Sequence, residues 1–320
     1  MSIFNHKRKK IGLALGSGAA RGLAHIGVFE AINQAKVPID MISGSSIGAL
    51  IGAYYAKNLN VDGIKDITLS LDFANLIKLL DPNFLLFFKG VISGKKVEKL
   101  LEIILGDIDF KDLKIPLLVT ATDITTGEGL IIDQGSVVKA VRASISIPAF
   151  FTPVKLNNKF LIDGGIANPI PVNVLRKKGM DYIIASNVVK QYTMKNRQKN
   201  TVKQVKSQVS SGSEKIREQI SRLFQENDAV FQRISKLINS LRKITLSRVS
   251  SIDKNTPSIF ETVIAAIYSM EYQIARLQLK NADLIISPEV DSLGSLEFFR
   301  AQEAITAGYK KGLEVLKKIK

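Results

Sequence analysis

The chain has 320 residues, 46% of them hydrophobic, enough to bury one large core. It contains no cysteine, which excludes disulfides and thiolate metal sites and fits a reducing, cytoplasmic setting. The formal net charge of +16 asks for an anionic partner or surface, nucleic acid or anionic lipid, unless it reflects only a basic background.

Residues 1–9 read as a basic tail. The apolar run after it is broken by Gly16, Ser17 and Gly18, which argues against a signal peptide, and no apolar run reaches the eighteen or so residues of a spanning helix. Lys10 to Leu15 is predicted as a short strand. It opens into Gly16-Ser17-Gly18-Ala19-Ala20-Arg21-Gly22 and then a helix from about Leu23 to Ala35, with Ile26, Phe29 and Ile32 on one face. A Gly-rich turn between strand and helix gathers N–H groups at a positive helix end and suits an anion. A dinucleotide is one candidate, with Asp40 at a plausible distance for a ribose. The Gly-x-Gly-x-x-x-Gly spacing departs from that fingerprint, however. An oxyanion hole built from the N–H groups of Gly18 and Ala19 is the other. Arg21 would order the loop, meet an anionic head group, or simply lie on the surface.

Pro38 to Ser43 is a second apolar strand. It runs into Gly44-Ser45-Ser46-Ile47-Gly48 and a helix from Ile47 to about Lys57. Ser46 is thus placed at a sharp strand-to-helix turn, where a Cβ at Gly44 or Gly48 would crowd the backbone. A serine hydroxyl needs a base. The chain has two histidines, His6 in the tail and His25, and both precede Ser46. The order Ser, acid, His cannot be built, and His25 at helical spacing from Gly22 and Phe29 is expected to pack or cap. A nucleophilic Ser46 would therefore rely on a carboxylate or a lysine.

Val61 to Leu105 reads as mostly helical. Within it Phe84 to Phe88 is either core or a lipid-facing lip. Ile115 to Thr122 is a near-continuous apolar strand of the kind found in parallel sheets covered on both faces. Asp123 and Thr126-Gly127-Glu128-Gly129 turn into a strand at Leu130 to Asp133, and Val137 to Ala143 looks helical until Ser146-Ile147-Pro148. Phe150 and Phe151 line a cleft or pack. Phe160 to Ile162 is a strand ending in Asp163-Gly164-Gly165, either an ordinary turn or a carboxylate displayed at a strand end. Pro169 and Pro171 delay a helix until about Val172. Tyr182–Ser186 and Asp283–Ser287 are two further buried-type strands, and Leu296–Lys318 a final helix.

Lys190 to Ser250 differs from the rest: fourteen Lys and Arg against four Asp and Glu, a surplus of ten of the net +16. Its first part is polar and linker-like. In 214–246, Ile216, Ile220, Leu223, Val230, Ile234, Leu237, Leu241 and Ile244 alternate at spacings of four and three, with Asn227 filling one gap. This amphipathic helix would pack on the main domain or against Ser258–Leu279, mediate self-association, or lie on an anionic membrane as a peripheral anchor. Few aromatics interleave the charge, so nucleic acid is not expected.

Taken together, Gly16–Gly22, Gly44–Gly48 and Asp163–Gly165 resemble the patatin-like phospholipase family, its small bacterial and archaeal members in particular. Arg142 to Pro148 and Asp123 to Glu128 look similar to it too. The likeness spans about Lys10 to Val189 and resumes at about Asp283 to Leu316, and the loop holds one residue more before Arg21 than in many members. The resemblance implies a three-layer α/β fold with a mainly parallel sheet, one domain over 10–320 with a basic helical insertion at 190–280. It implies a lipid acyl-ester hydrolase with Ser46 as nucleophile, Asp163 as base, and an oxyanion hole drawn from Gly16, Gly18 and Ala19. Gly44, Gly48, Gly164 and Gly165 would be the motif glycines. No metal or other cofactor is expected. The other function class weighed is a membrane-associated scaffold or regulator of the same fold with little turnover.

Overall fold

The computed structural model describes residues 8–70, 95–191, 259–295 and 297–317. The expectations for the tail through residue 7, for Phe84–Phe88 and for the amphipathic stretch 214–246 lie outside these residues. The chain divides into two compact units, residues 1–192 with 265–320, and residues 193–264. Of the second unit only 259–264 are described.

The strands are β1 (Ile11–Leu15), β2 (Met41–Ser45), β3 (Leu117–Asp123), β4 (Gly129–Ile132), β5 (Val154–Leu156), β6 (Lys159–Asp163), β7 (Tyr182–Ser186) and β8 (Leu284–Ile286). The helices are α1 (Ala24–Ala35), α2 (Ile47–Asn58), α3 (Asp62–Ser70), α4 (Lys95–Leu105), α5 (Val137–Ser144), α6 (Val172–Lys177), α7 (Ile259–Leu279) and α8 (Ala301–Leu316). All eight strands form one sheet, with β3-β2-β1-β7-β8 parallel and β4, β5 and β6 antiparallel.

The near-continuous apolar strands follow from cover on both faces. Leu13, Leu15, Ile42, Leu117, Val119 and Ile184 point into one core with α1, α2, α4, α5 and α8. Their alternating neighbours Ala14, Leu118, Ile183 and Ala185 point into a second core with α6 and α7. The result is the expected three-layer α/β fold. The larger core includes Phe29, fully buried and stacked on Tyr55 at 3.9 Å. Burying one such ring contributes about 1.5–3 kcal/mol. Helix α8 lies in backbone contact with α1, and a Cβ on Gly27 would stand 2.5 Å from the Tyr309 nitrogen.

Several elements differ from the sequence-based bounds. Strand β2 starts at Met41, not Pro38, because Asp40 turns inward to cap β1, its carboxylate accepting from the Ile11 N–H at 2.7 Å. A short 3-10 turn at Ala19–Leu23 precedes α1, and another at Phe298–Arg300 precedes α8. Among the described residues no helix is long and apolar enough to cross a membrane.

The registers of β3 bring distant strand ends together. Thr120 pairs with Ser45 of β2 and with Ile131 of β4, so β2 and β4 lie on opposite edges. Ala121 pairs with Leu130 of β4 and with Asp163 of β6. Asp163 therefore lies on the edge that β2 has just vacated. Two strands, one parallel and one antiparallel, end head to head on consecutive residues of β3.

Candidate active site

Ser46 is the residue between β2 and α2. Its φ of 53° and ψ of −123° lie where non-glycine residues are seldom found. Such a conformation costs about 1–3 kcal/mol and persists only when its surroundings impose it. They do so here. A Cβ on Gly44 would sit 2.6 Å from the Ala49 Cα, and one on Gly48 would sit 2.5 Å from the Leu15 carbonyl oxygen. Strand and helix thus pass in backbone contact, and the residue at the bend is driven outward.

The Ser46 hydroxyl donates to Asp163 Oδ2 at 2.6 Å, and the N–H of Gly165 donates to Oδ1 at 2.7 Å. Both side chains are buried, Ser46 at 4% and Asp163 at 2% exposure. Burial dominates the Asp163 carboxyl and pushes its pKa up to about 7, held back by the hydrogen bonds from Ser46 and Gly165. A carboxylate that gains its charge near neutrality is matched to accepting a proton there.

The last residue of α5 and the segment after it hold both partners. Ser144 Oγ accepts from the Ser46 N–H at 2.8 Å, and the Ser146 carbonyl accepts from the Asp163 N–H at 2.9 Å. Thr122 Oγ1 donates to the Asp163 carbonyl at 2.9 Å. Buried Arg142 donates to Ser146 Oγ, and its guanidinium lies 5.3 Å from the centre of the Phe151 ring. The motif Arg142 to Pro148, noticed in the sequence only as a likeness, thus supports the backbone of Ser46 and of Asp163 together. Phe151 packs on this arginine.

The Gly-rich loop lies against the same place: Cβ atoms on Gly48 and Gly165 would stand 2.8 Å from the Gly16 carbonyl oxygen and 2.9 Å from Ser17 Cβ. The loop's own backbone groups are mostly committed. Gly16 N–H donates to the Ser186 carbonyl at 3.1 Å, Ser17 N–H to Pro169 at 2.9 Å and Ala20 N–H to Ser295 at 3.0 Å. Gly18 and Ala19 N–H have no backbone acceptor among the described residues. Gly16, expected among the hole-forming residues, spends its donor on holding the loop to β7.

His25 is fully buried between this loop and β7. The Gly16 carbonyl can only accept, so Nε2 carries the proton and donates to it at 2.8 Å. Nδ1 then accepts from Ser186 Oγ at 2.8 Å. Burial lowers its pKa to about 4, so the ring stays neutral and packs, as its spacing suggested. Arg21 is not on the surface: it is 8% exposed, donates to Ser295 Oγ at 3.2 Å and lies 5.9 Å from the centre of the Tyr268 ring. Asp40 pairs with Arg8 and accepts from the Ile11 N–H, and Asp123 pairs with Lys159 and accepts from the Thr125 N–H.

One buried carboxyl has no motif to announce it in the sequence. Glu271 on α7 is 6% exposed and accepts from Ser17 Oγ at 3.2 Å. It shares the buried face of α7 with Tyr268 and Ala275, at spacings of three and four. A lone acidic residue in an otherwise apolar helical stripe was the signal available.

Comparison with known protein families covers the Gly-rich loop, Ser46 and Asp163. The family model described as patatin-like phospholipase matches residues 13–176, just over half of the chain. An uncharacterised NTE family protein of Mycobacterium tuberculosis is 35% identical over 176 residues, covering 55% of this chain and 48% of its own. The neuropathy target esterase sws of Drosophila melanogaster is 35% identical over 186 residues, 56% of this chain and 13% of its own. The chain therefore matches about half the length of the mycobacterial relative and a small part of the fly protein. VipD from Legionella pneumophila covers 97% of this chain and 67% of its own at 15% identity, with a TM-score of 0.46, too low to carry an argument.

Proposed function

Because this chain belongs to the patatin-like phospholipase family, we propose that it is a serine acyl hydrolase of lipid esters working through a Ser46–Asp163 dyad. The observation that carries this reading is the 2.6 Å hydrogen bond from a strained, buried serine to a buried carboxylate. A relative named an esterase supports ester cleavage as the reaction.

Ser46 Oγ attacks the acyl carbonyl as its proton passes to Asp163 Oδ2. The N–H groups of Gly18 and Ala19 receive the resulting oxyanion. The tetrahedral intermediate collapses, the ester C–O bond breaks, and Asp163 returns the proton to the departing alkoxide. Water then attacks the acyl-enzyme with Asp163 again as base, releasing the fatty acid and restoring Ser46. The dyad needs no metal for these steps. Gly164 lets the Asp163 turn pass against Thr120 of β3, Gly165 lets it pass against Ser17 of the loop, and Arg21 orders the loop from behind. Residues 10–320 would act as one domain, with the basic segment at 190–280 as an insertion into it.

Labelling with a fluorophosphonate tests the serine. We expect wild type to label covalently and Ser46→Ala not to label, with ester turnover down by at least a thousandfold in a protein of unchanged circular dichroism. An Ser46→Ala protein that labels and turns over like wild type would sink the assignment. A wild type that never labels, with or without vesicles, would favour a scaffold or regulator.

A further inference from the structure

A second buried carboxyl stands beside the dyad and takes no part in its proton transfers. Glu271 comes from α7, an element distant in sequence from every catalytic motif. It touches two of those motifs at once. Its Oε2 accepts from Ser17 Oγ at 3.2 Å, inside the Gly-rich loop and one residue before Gly18. Its Oε1 reaches the Asp163 turn, standing 2.7 Å from where a Cβ on Gly165 would lie. Any side chain there would push the carboxyl away, so the glycine makes room for it.

The groups facing Glu271 are few. Asp163 faces it from the end of β6, Arg21 from the 3-10 turn after the Gly-rich loop, and Tyr268 from its own helix. Among the described residues Glu271 has no ion pair. The Ser17 hydrogen bond and then Arg21 favour its charged form, but less than burial and the charge of Asp163 oppose it. Two carboxyls this close in a desolvated site cannot both ionise easily. Burial first, then the Asp163 charge, push the Glu271 pKa up to about 8. Asp163 accepts two short hydrogen bonds, at 2.6 and 2.7 Å, and Glu271 one at 3.2 Å, so the charge settles on Asp163 and Glu271 keeps its proton.

Resting on the Ser46–Asp163 reading, we propose that Glu271 is a positioning residue that serves the reaction only as the neutral acid. Neutral, it seats Ser17 and so aims the N–H groups of Gly18 and Ala19. Ionised, it would set a second negative charge against Asp163 and beside the place where the oxyanion forms. Repulsion of that oxyanion in a low-dielectric site costs more than the same charge would in water. The reaction then has two proton requirements on two carboxyls, Asp163 without its proton and Glu271 with it.

The test is the pH dependence of kcat for a soluble short-chain ester from pH 5 to 10, with Ser46→Ala as the blank for spontaneous hydrolysis. Wild type should rise through about 7 and then fall through about 8, to roughly a tenth of its maximum by pH 9, as the protonated fraction of Glu271 shrinks. Glu271→Gln cannot ionise and can still accept from Ser17. It should show a several-fold lower kcat at pH 7, and the fall above pH 8 should vanish. Ser17→Ala removes the contact and leaves the titration, so its kcat should drop while the alkaline fall persists. A wild-type profile that stays flat to pH 10 in a folded protein would overturn the proposal, whether or not any variant folds. So would a Glu271→Gln profile that falls like wild type, or one lowered equally at every pH. Failure of the dyad itself reads out separately, as Ser46→Ala turning over above the blank reaction without enzyme.

Discussion

Asp163 meets two demands that oppose each other. Burial makes it basic enough to take a proton near neutrality, and burial of a charge costs the fold. With a pKa near 7, activity at pH 6 should be roughly a tenth of the level expected from full ionisation, measured as initial rate on a soluble ester. The effect on stability runs the other way. The folded pKa lies above the unfolded value near ~4, so the folded state binds the proton more tightly. Its contribution is fully present below pH ~4 and is lost as pH rises through about 7. Asp163→Asn removes that penalty. We expect it to lower kcat by about 10²–10⁴-fold and yet to raise Tm at pH 7.5, with each kcal/mol recovered worth about 2–4 °C. A thermal scan showing Asp163→Asn well below wild type would mean that the carboxylate holds the fold together rather than straining it. Much of this residue-level picture was legible beforehand: Gly-x-Ser-x-Gly after an apolar strand, Asp-Gly-Gly at the end of another, and no histidine downstream of Ser46. The state of Gly16 and the presence of Glu271 were not legible. A backbone donor's partner is chosen by a strand far along the chain, and Glu271 sits in a helix that carries no motif.

At the scale of elements, the site is a property of β3. Its edge hosts β2 up to Thr120 and β6 from Ala121, and Ser144 at the end of α5 with Ser146 just after it locks both strand ends. The strands themselves were readable, since cover on both faces leaves unbroken apolar runs at Leu117–Asp123 and Tyr182–Ser186. Which edge β6 would occupy was not, because the antiparallel return of Lys159–Asp163 depends on pairing that no local pattern encodes. Ser144 offers the sharpest test at this scale. Replacing it with Ala leaves the buried Ser46 N–H without its side-chain acceptor, a loss of about 1–3 kcal/mol. We expect Ser144→Ala to lower Tm by several degrees and kcat by about tenfold, with KM for a soluble ester little changed, because Ser46 loses its aim rather than the substrate its contacts. Stability and kinetics equal to wild type would show that the turn holds Ser46 without this serine.

For the molecule as a whole, charge is the property left unassigned. Ten of the sixteen net positive charges fall in residues 190–250, largely outside the described structure, and all other residues together account for the remaining six. A hydrolase whose substrate is embedded in a bilayer must work at that surface, and an anionic leaflet attracts each nearby Lys or Arg with about 1 kcal/mol. That attraction decays over a Debye length, about 10 Å at 0.1 M salt and near 3 Å at 1 M. Ser46 and Asp163 are buried, so chemistry proposed there would feel salt far less. The two effects can therefore be separated within one protein. Rates on a soluble short-chain ester should change little between 0.1 and 1 M salt. Rates on phospholipid in vesicles containing phosphatidylserine should drop at least tenfold over the same range, in step with loss of co-sedimentation, while neutral phosphatidylcholine vesicles should bind weakly throughout. Equal binding to neutral and anionic vesicles, unaffected by salt, would show that the basic segment does not recruit the enzyme. Its amphipathic stretch would then be left to pack on the main domain or against 258–279, or to mediate self-association.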